Sequence, residues 1–179
     1  MKDRNKTLDA FLVLEYRSGN SRALGLLVKK YHPKLCKHAY WFTHDLHSSE
    51  DIVQDSWKSI LTSLYRLREP ERFGSWPFRI VTRKALDHFN KQKKGQQELQ
   101  KYSILADTGM TDTSTDDRVP LLQKAILTLP VNQQVVIRLF YTEGYSLNEI
   151  SEILEIAVST VKSRLFHGRE KLKIILKNK

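Results

Sequence analysis

A polar helix face near the C-terminus has the composition of a surface that binds nucleic acid. The stretch STVKSRLFHGREKLK, residues 159–173, contains five Lys or Arg residues and a single acid, Glu170. On a helix, its polar side chains gather on one face and its flanks. They are Ser159, Thr160, Lys162, Ser163, Arg164, His167, Arg169 and Lys171. Hydroxyls can approach a groove floor, cations can reach phosphates, and arginine can pair with guanine. We predict DNA binding; a solvated basic C-terminus is the alternative.

A short helix, a turn and this longer helix have the proportions of a helix-turn-helix. Ser146 and Glu149 form a capping-box pattern, which predicts the start of a helix that runs to Leu154. The longer helix is predicted to follow the turn 155–157. Its inward stripe is Val158, Val161, Leu165, Gly168, Leu172 and Leu176. Gly168 in that stripe predicts the close approach of a neighbouring helix.

A second segment, FGSWPFRIVTRKALDHFNKQKK at residues 73–94, interleaves aromatic side chains with cations. Binding of single-stranded DNA needs cations along the phosphates and surfaces that hold unstacked bases. Ser75, Trp76 and Pro77 predict a helix start, because proline is tolerated in a first turn. The candidate DNA-binding residues are Trp76, Arg79, Arg83, Lys84, His88 and Lys91. For Trp76, burial in the core with Phe73 and Ile80 is the favoured alternative.

An acidic patch is predicted on an earlier helix. In SSEDIVQDSW, residues 48–57, and just beyond it, the spacing of Val53, Trp57, Ile60 and Leu61 indicates an inward face. The remaining polar side chains are Glu50, Asp51, Gln54 and Asp55. Acids at a helix N-terminus also complement the helix dipole. This alternative explains the presence of Glu50 and Asp51, but it explains Gln54 and Asp55 less well. Ser48 and Asp51 resemble a capping box at the start of this helix.

The composition favours helices and an anionic partner. The 179 residues include only 7 glycines and 5 prolines, and 30 Lys and Arg against 20 Asp and Glu give a net charge of +10. The single cysteine, Cys36, excludes an internal disulfide and fits a reducing cytoplasm. No run approaches the roughly 18 apolar residues that a membrane span needs.

Catalytic and metal sites are not predicted. His32 and Cys36 stand four residues apart, so a helix would bring them together, but the companion ligands of a metal site are missing. The sequence has neither a glycine-rich phosphate loop nor a GxSxG motif. We therefore expect no cofactor, no metal ligand and no enzymatic activity.

Changes in composition divide the chain into three parts. We expect an all-α fold with a helical domain over residues 1–95, a flexible linker over 96–119 and a second helical domain over 120–179. The segment 96–120 clusters Thr, Ser and Asp, and it holds two cations against five acids. In the second domain, Pro130 is predicted to separate two further helices.

Three motifs together resemble the sigma-70 family of bacterial RNA polymerase sigma factors, in the compact extracytoplasmic-function (ECF) group. SSEDIVQDSW and FGSWPFRIVTRKALDHFNKQKK resemble its region 2. LPVNQQVVIRLFYTEGYSLNEISEILEIAVSTVKSRLFHGREKLK, residues 129–173, resembles its region 4. Their order and spacing over about residues 23–173 make the resemblance specific. Region 3 of the larger sigma factors has no counterpart here.

The resemblance implies a transcription initiation factor that binds core RNA polymerase and directs it to specific promoters. Region 2 would dock on the clamp helices of the largest polymerase subunit through the acidic patch and capture the melted −10 strand with the aromatic–basic segment. Region 4 would sit on the polymerase flap and read the −35 duplex with the last helix. An anti-sigma protein, a cytoplasmic location and the lack of membrane insertion are further expectations.

Several residues depart from the family pattern. Arg83 stands where many members have Asn, His167 where many have Arg, and Ala157 where Ser is usual. Glu155 replaces a usual turn glycine, which predicts a strained turn. The alternative function is a free-standing helix-turn-helix regulator, which would need neither the acidic patch nor the aromatic–basic segment. The acidic linker is expected to be either a spacer or a segment that enters the polymerase active-site channel.

Overall fold

The computed structural model describes residues 2–99 and 118–177, and every regular element in these ranges is helical. The elements are α1 (Lys2–Arg17), α2 (Ser21–Thr43), α3 (Leu46–Leu64), a 3-10 helix (Pro70–Gly74), α4 (Trp76–Leu99), α5 (Arg118–Leu127), α6 (Val131–Tyr141), α7 (Leu147–Leu154) and α8 (Val158–Lys177). The chain divides into two compact units at about residue 105. The predicted all-α fold of two small helical parts is confirmed.

The predicted domain boundaries at residues 95 and 120 stay predictions. Helix α4 continues to Leu99, past the first boundary, and α5 begins at Arg118. Residues 100–117, which make up most of the predicted acidic linker, lie outside the described residues. The two expectations for that linker therefore also stay open.

Helix α2 lies at the centre of the first unit, because it packs against α1, α3 and α4. Toward α1, the carboxylate of Asp9 is buried between two donors of α2. The Tyr31 hydroxyl and the Lys30 ammonium each donate a hydrogen bond to it at 2.6 Å. A buried carboxylate is stable only when it is paired in this way, so the contact fixes α1 on α2.

Polar contacts also join α2 to its other two neighbours, and at the end of α2 the hydroxyls of Thr43 and of Ser49 on α3 lie 2.7 Å apart. Toward α3, the indole N–H of Trp57 donates to Nδ1 of His32 at 3.2 Å. Toward α4, Nε2 of His38 lies 2.8 Å from the hydroxyl oxygen of Thr82, and both side chains are buried. The three neighbours of α2 are therefore each attached by a directional bond in addition to apolar packing.

Apolar side chains fill the rest of the first core. The fully buried ones include Val13, Leu27, Leu35, Val53, Ile60, Leu64, Phe73, Phe78 and Val81. Of the inward face predicted for α3, Val53, Trp57 and Ile60 are buried as expected, whereas Leu61 is only half-buried. Pro33 lies on the exposed side of α2, and the helix continues through it to Thr43.

The start of α3 differs from the prediction. The helix begins at Leu46, and its N-cap is Asp45, whose side chain accepts from the backbone N–H of Ser48 at 2.7 Å. This bond lowers the pKa of the Asp45 carboxyl below its ordinary value. The predicted capping box of Ser48 and Asp51 is wrong, because both residues lie inside the helix that Asp45 has already capped. The predicted start of α4 is confirmed, with Pro77 in its first turn.

Two side chains close helix ends at a distance along the chain. The guanidinium of Arg17, at the end of α1, donates to the carbonyl oxygens of Leu64 and Leu67 where α3 ends. In the second unit, Nε2 of the buried Gln134 donates to the carbonyl oxygens of Leu127 and Leu129, at 3.1 and 2.7 Å. Each contact gives hydrogen bonds to backbone carbonyls at or just beyond a helix C-terminus, where carbonyl groups lack intrahelical partners.

The turn region of the second unit agrees with the sequence. Pro130 separates α5 from α6, and Ser146 caps α7 in a complete capping box with Glu149. The turn after α7 is strained, as predicted, because Glu155 has a φ of 54° in the left-handed region. Nearby, burial lowers the pKa of Arg138 to about 9, while the Glu143 carboxylate acts in the opposite sense.

Helix α8 packs through the predicted stripe. Val161, Leu165, Gly168 and Leu172 are buried, and the two terminal members of the stripe are half-buried. A Cβ atom on Gly168 would lie 2.6 Å from Cδ1 of Ile137 on α6. The predicted close approach of a neighbouring helix is therefore confirmed, and a Cβ atom at this position would require the end of the Ile137 side chain to move.

We expect Gly168→Ala to lower the free energy of unfolding of the second unit by about 1–3 kcal/mol, because the new methyl group overlaps the Ile137 side chain. Hydrogen-exchange mass spectrometry of the full chain should show faster exchange in α6 and α8. Gly25→Ala is the matched control: a Cβ there meets no atom within 4 Å. This control should stabilise α2 slightly. Equal behaviour of the two variants would contradict the packing argument.

Candidate nucleic-acid interface

The acidic patch of α3 forms as one exposed surface. Its members Glu50, Asp51, Gln54 and Asp55 are all exposed. The opposite face, which carries Ile52, Val53, Ser56 and Trp57, is buried. The structure therefore brings the four predicted residues together, because the pairs Glu50–Gln54 and Asp51–Asp55 are each four residues apart and all four fall within an arc of about 140° of the helix.

Two lysines border this patch at Asp55. The ammonium of Lys58 lies 2.9 Å from the Asp55 carboxylate, and the ammonium of Lys84 donates to the Asp55 backbone carbonyl at 2.6 Å. The hydrogen bond and charge of Lys58, followed by the charge of Lys84, lower the pKa of Asp55. Lys84 was predicted with the DNA-binding residues of α4, yet its ammonium lies against α3 at the edge of the acidic patch.

The other predicted residues of α4 differ in accessibility. Arg79, Arg83 and Lys91 are exposed, on the side opposite the buried face that carries Phe78 and Thr82. Three of the six predicted residues of α4 therefore form its open basic face.

The aromatic residues at the start of α4 are only partly in the core. Phe73 is fully buried against the ring of Tyr31, as expected. Trp76 is half-buried, with its ring centroid 6.2 Å from that of Phe73. Ile80 is also half-buried. Trp76 therefore packs on Phe73 and still keeps part of its surface accessible to solvent.

His88 is less accessible than the prediction assumed. The residue is half-buried, and its Nδ1 is shielded from solvent and has no hydrogen-bond partner among the described residues. Only the remaining edge of the imidazole can contact a ligand directly. Its burial follows from a position on α4 three residues after Ala85, which is itself fully buried.

The predicted polar face of α8 is accessible along its length. Ser159, Lys162, Ser163, His167, Arg169 and Lys171 are exposed, and Thr160 and Arg164 are half-buried. Lys162, Arg164, Arg169 and Lys171 form no ion pair with any residue that the structure describes. Their charges are therefore available to an external anion.

One residue on this side was missed by the sequence analysis. The phenyl ring of Phe166 is 61% exposed, and its centroid lies 5.5 Å from the His167 ring. The helical projection that selected the polar residues would have placed Phe166 between Lys162 and Ser159. Phe166 is apolar, so a pattern of polar side chains does not include it.

The His32 and Cys36 pair is a polar contact within α2. Sγ of Cys36 lies 3.5 Å from Nε2 of His32, whose other ring nitrogen accepts from Trp57. Burial, and secondarily the charge of Glu50, raise the pKa of the Cys36 thiol. Within residues 2–99 and 118–177, no three His, Cys, Asp or Glu side chains are grouped to hold a metal ion. No helix of this part of the chain is long and apolar enough to cross a membrane.

Comparison with known families assigns both units. A model described as Sigma-70 region 2 matches residues 27–95, and one described as Sigma-70, region 4 matches residues 121–172. The first match includes the acidic patch and the basic face of α4, and the second includes the polar face of α8.

Individual relatives agree with this assignment. The ECF RNA polymerase sigma factor SigW of Bacillus subtilis is 30% identical over 173 residues, which are 90% of this chain and 92% of the relative. RNA polymerase sigma factor SigV of the same species is 32% identical over 138 residues, or 77% of this chain and 81% of the relative.

Solved structures share the fold. CnrH, solved with the cytosolic domain of CnrY, is 27% identical with a TM-score of 0.69, over 96% of this chain and 98% of that one. The sigma factor RpoE of Bartonella quintana, solved with the anti-sigma factor NepR, is 21% identical. Its TM-score is 0.73 over 86% of this chain and 96% of that one, which supports the fold alone.

The helical fold, the two matched regions and their order define a bacterial transcription initiation factor of the sigma type. Within that class, the chain belongs to the ECF group of the sigma-70 family of RNA polymerase sigma factors. The resemblance seen in the sequence is confirmed, and a sigma factor is supported over a free-standing helix-turn-helix regulator. The roles of individual site residues stay predictions.

We expect Lys58→Met to raise the pKa of Asp55 toward its ordinary value, because the variant removes both a hydrogen bond and a positive charge. Lys84→Met should raise it less, since Lys84 acts on the carboxylate through charge alone. The lowered pKa means that this interaction favours the folded chain above the ordinary carboxyl pKa and is lost as the pH falls through the lowered value. Carboxyl ¹³C NMR titration measures both shifts; a larger shift in the Lys84 variant would contradict the order of causes.

Proposed function

We propose that the two units divide the recognition of a promoter between them. The first unit docks on core RNA polymerase and captures the unwound −10 strand, and the second reads the −35 duplex. The observation that carries this proposal is the separation of charge among helices. Acids line the open face of α3, while cations line the open faces of α4 and α8. A protein that bound only DNA would gain nothing from the acidic surface, because DNA is an anion.

The acidic patch is proposed to contact the clamp helices of the largest polymerase subunit. Its four side chains are exposed on a helix whose other side is anchored in the core, so binding needs little rearrangement. Opposite charge across such an interface raises the association rate and fixes orientation. The flap of the polymerase is the proposed partner of the second unit.

The basic face of α4 is proposed to hold the −10 strand. Arg79, Arg83 and Lys91 can follow the phosphates, and the accessible part of the Trp76 indole can contact a base. Lys84 and His88 stay in the proposed set at its margin. Energy from holding unstacked bases offsets the few kcal/mol that unstacking costs. Binding can therefore open the promoter, and we propose that the protein itself catalyses no reaction.

The polar face of α8 is proposed to lie in the major groove of the −35 element. Ser159, Thr160 and Ser163 near its N-terminus are short enough to approach base edges and nearby phosphates. Arg164 is proposed to contact a base, because an arginine can form two hydrogen bonds to guanine. Lys162, His167, Arg169 and Lys171 then contact the backbone.

Control by an anti-sigma protein is proposed from the relatives. CnrH and the Bartonella RpoE were each solved with a protein partner, which for RpoE is an anti-sigma factor. We propose that a protein of this kind masks part of the acidic or basic surfaces here. The cytoplasm is the proposed site of action, which is supported by family membership and by the single cysteine.

We expect the double variant Asp51→Ala, Asp55→Ala to bind core RNA polymerase about tenfold more weakly, a loss of about 1.4 kcal/mol. The reason is the removal of two exposed charges from the proposed docking surface. Fluorescence anisotropy of the labelled chain with core polymerase measures the affinity, and circular dichroism checks the fold. Asp87→Ala removes an exposed acid of α4 and is the control. Unchanged affinity in the double variant would remove the docking assignment.

We expect Arg164→Ala to weaken binding of the holoenzyme to the −35 duplex by about 1–3 kcal/mol and to relax selectivity at one base pair. Run-off transcription from promoters with single −35 substitutions, combined with duplex binding, measures both effects. Lys124→Ala on α5 removes an exposed cation outside the α8 face and should change neither. If Arg164→Ala retains both affinity and selectivity, α8 does not read the duplex through this residue.

A further inference from the structure

We propose that the buried pair of His38 and Thr82 is a positioning element. It sets the rotation of α4 about its own axis, and so aims Arg79 and Arg83 at the −10 strand. The inference rests on the proposed function of α4. Neither residue would touch DNA, because His38 and Thr82 are only 2% and 1% exposed.

The pair lies in the centre of the contact between α2 and α4. Nε2 of His38 is 2.8 Å from the Thr82 hydroxyl oxygen. The imidazole also makes edge contacts with two phenyl rings, at centroid distances of 5.4 Å to Phe42 and 5.1 Å to Phe78. Next to Thr82, the buried face of α4 carries the fully buried Val81. A polar pair is thus enclosed by an apolar core, where its bond is strong and its separation would be costly.

Apolar packing alone does not select this rotation of α4 strongly. Side chains that could fill a core occur on several sides of the helix. Phe78, Val81 and Ala85 are fully buried, whereas Trp76, Ile80, Leu86 and Phe89 are half-buried. A turned helix would exchange some of these side chains for others of similar apolar character. It would separate His38 from Thr82, however, and so lose a hydrogen bond between two buried polar groups. Buried polar pairs that fix the register of helices act in this way.

The rotation at Thr82 determines where the proposed DNA contacts point. Arg79 is three residues before Thr82 and Arg83 is the residue after it, and both are exposed. Residues four apart share one side of a helix, so these two arginines move together when α4 turns. One residue along a helix corresponds to about 100° of rotation, and smaller turns would already displace long side chains from adjacent phosphates.

The test uses holoenzyme assembled from core RNA polymerase and the full chain, with a promoter that the wild type opens. The promoter carries 2-aminopurine in the −10 element, so its fluorescence reports opening. Thr82→Val keeps the shape but removes the hydroxyl, and we expect about five- to tenfold less open complex. Thr82→Ser keeps a hydroxyl and should restore opening. Ser56→Ala is the matched control, because that buried hydroxyl bonds only within α3, to the carbonyl oxygen of Ile52.

The double variant His38→Phe, Thr82→Val separates positioning from stability. An apolar pair of similar volume should leave the melting temperature unchanged or raise it, yet opening should stay low. Wild-type opening by this variant would overturn the inference, as would equal loss in the Ser and Val variants of Thr82. Binding of core and of the −35 duplex should be unchanged throughout. If the double variant Arg79→Ala, Arg83→Ala opens the promoter normally, the proposed function of α4 is wrong. That result is distinct from a failure of the His38–Thr82 inference alone, in which the two arginines are needed but the buried pair is not.

Discussion

The first unit depends on a single helix that must bind three neighbours at once. Helix α2 presents Tyr31 to Asp9 of α1, His32 to Trp57 of α3 and His38 to Thr82 of α4. Apolar burial supplies most of the driving force for such a bundle, but it is not directional. A hydrogen bond is directional, so these bonds help to specify how each neighbouring helix is oriented on α2. The orientation of the exposed faces of α3 and α4 depends on these contacts.

The open helix faces differ in the sign of their charge. The α3 face is acidic, and Lys58 and Lys84 at its edge keep the carboxylate of Asp55 ionised to lower pH than usual. The α4 face is basic, and its cations lie away from the core that holds the helix. On α8, four cations lack an ion pair within the described residues. Ionic partners outside the chain are therefore favoured at all three faces.

Local patterns in the sequence predicted much of the fold. The capping box of Ser146 and Glu149, the stripe of α8 and the close approach at Gly168 could be read directly, because each depends on residues near one another in the chain. The start of α3 was misassigned because Asp45 competes with Ser48 for the same role, and only backbone geometry distinguishes them.

Features that depend on distant residues were not predictable. The contact of Lys84 with the Asp55 carbonyl joins positions 29 residues apart, and no periodicity encodes it. Partial burial of Trp76 and His88 likewise depends on packing between helices. The sequence therefore indicated which residue types form each surface, while the tertiary fold decided which of them reach it.

The strained turn before α8 has an evolutionary consequence. Glu155 occupies a backbone conformation that suits glycine. Since a glutamate codon becomes a glycine codon through a single base change, a relaxed turn is one mutational step away. Proteins that already exceed the stability they need are under little selection to take such steps. Directed evolution can therefore relieve the strain of this turn in the second unit without altering any residue of the α8 face.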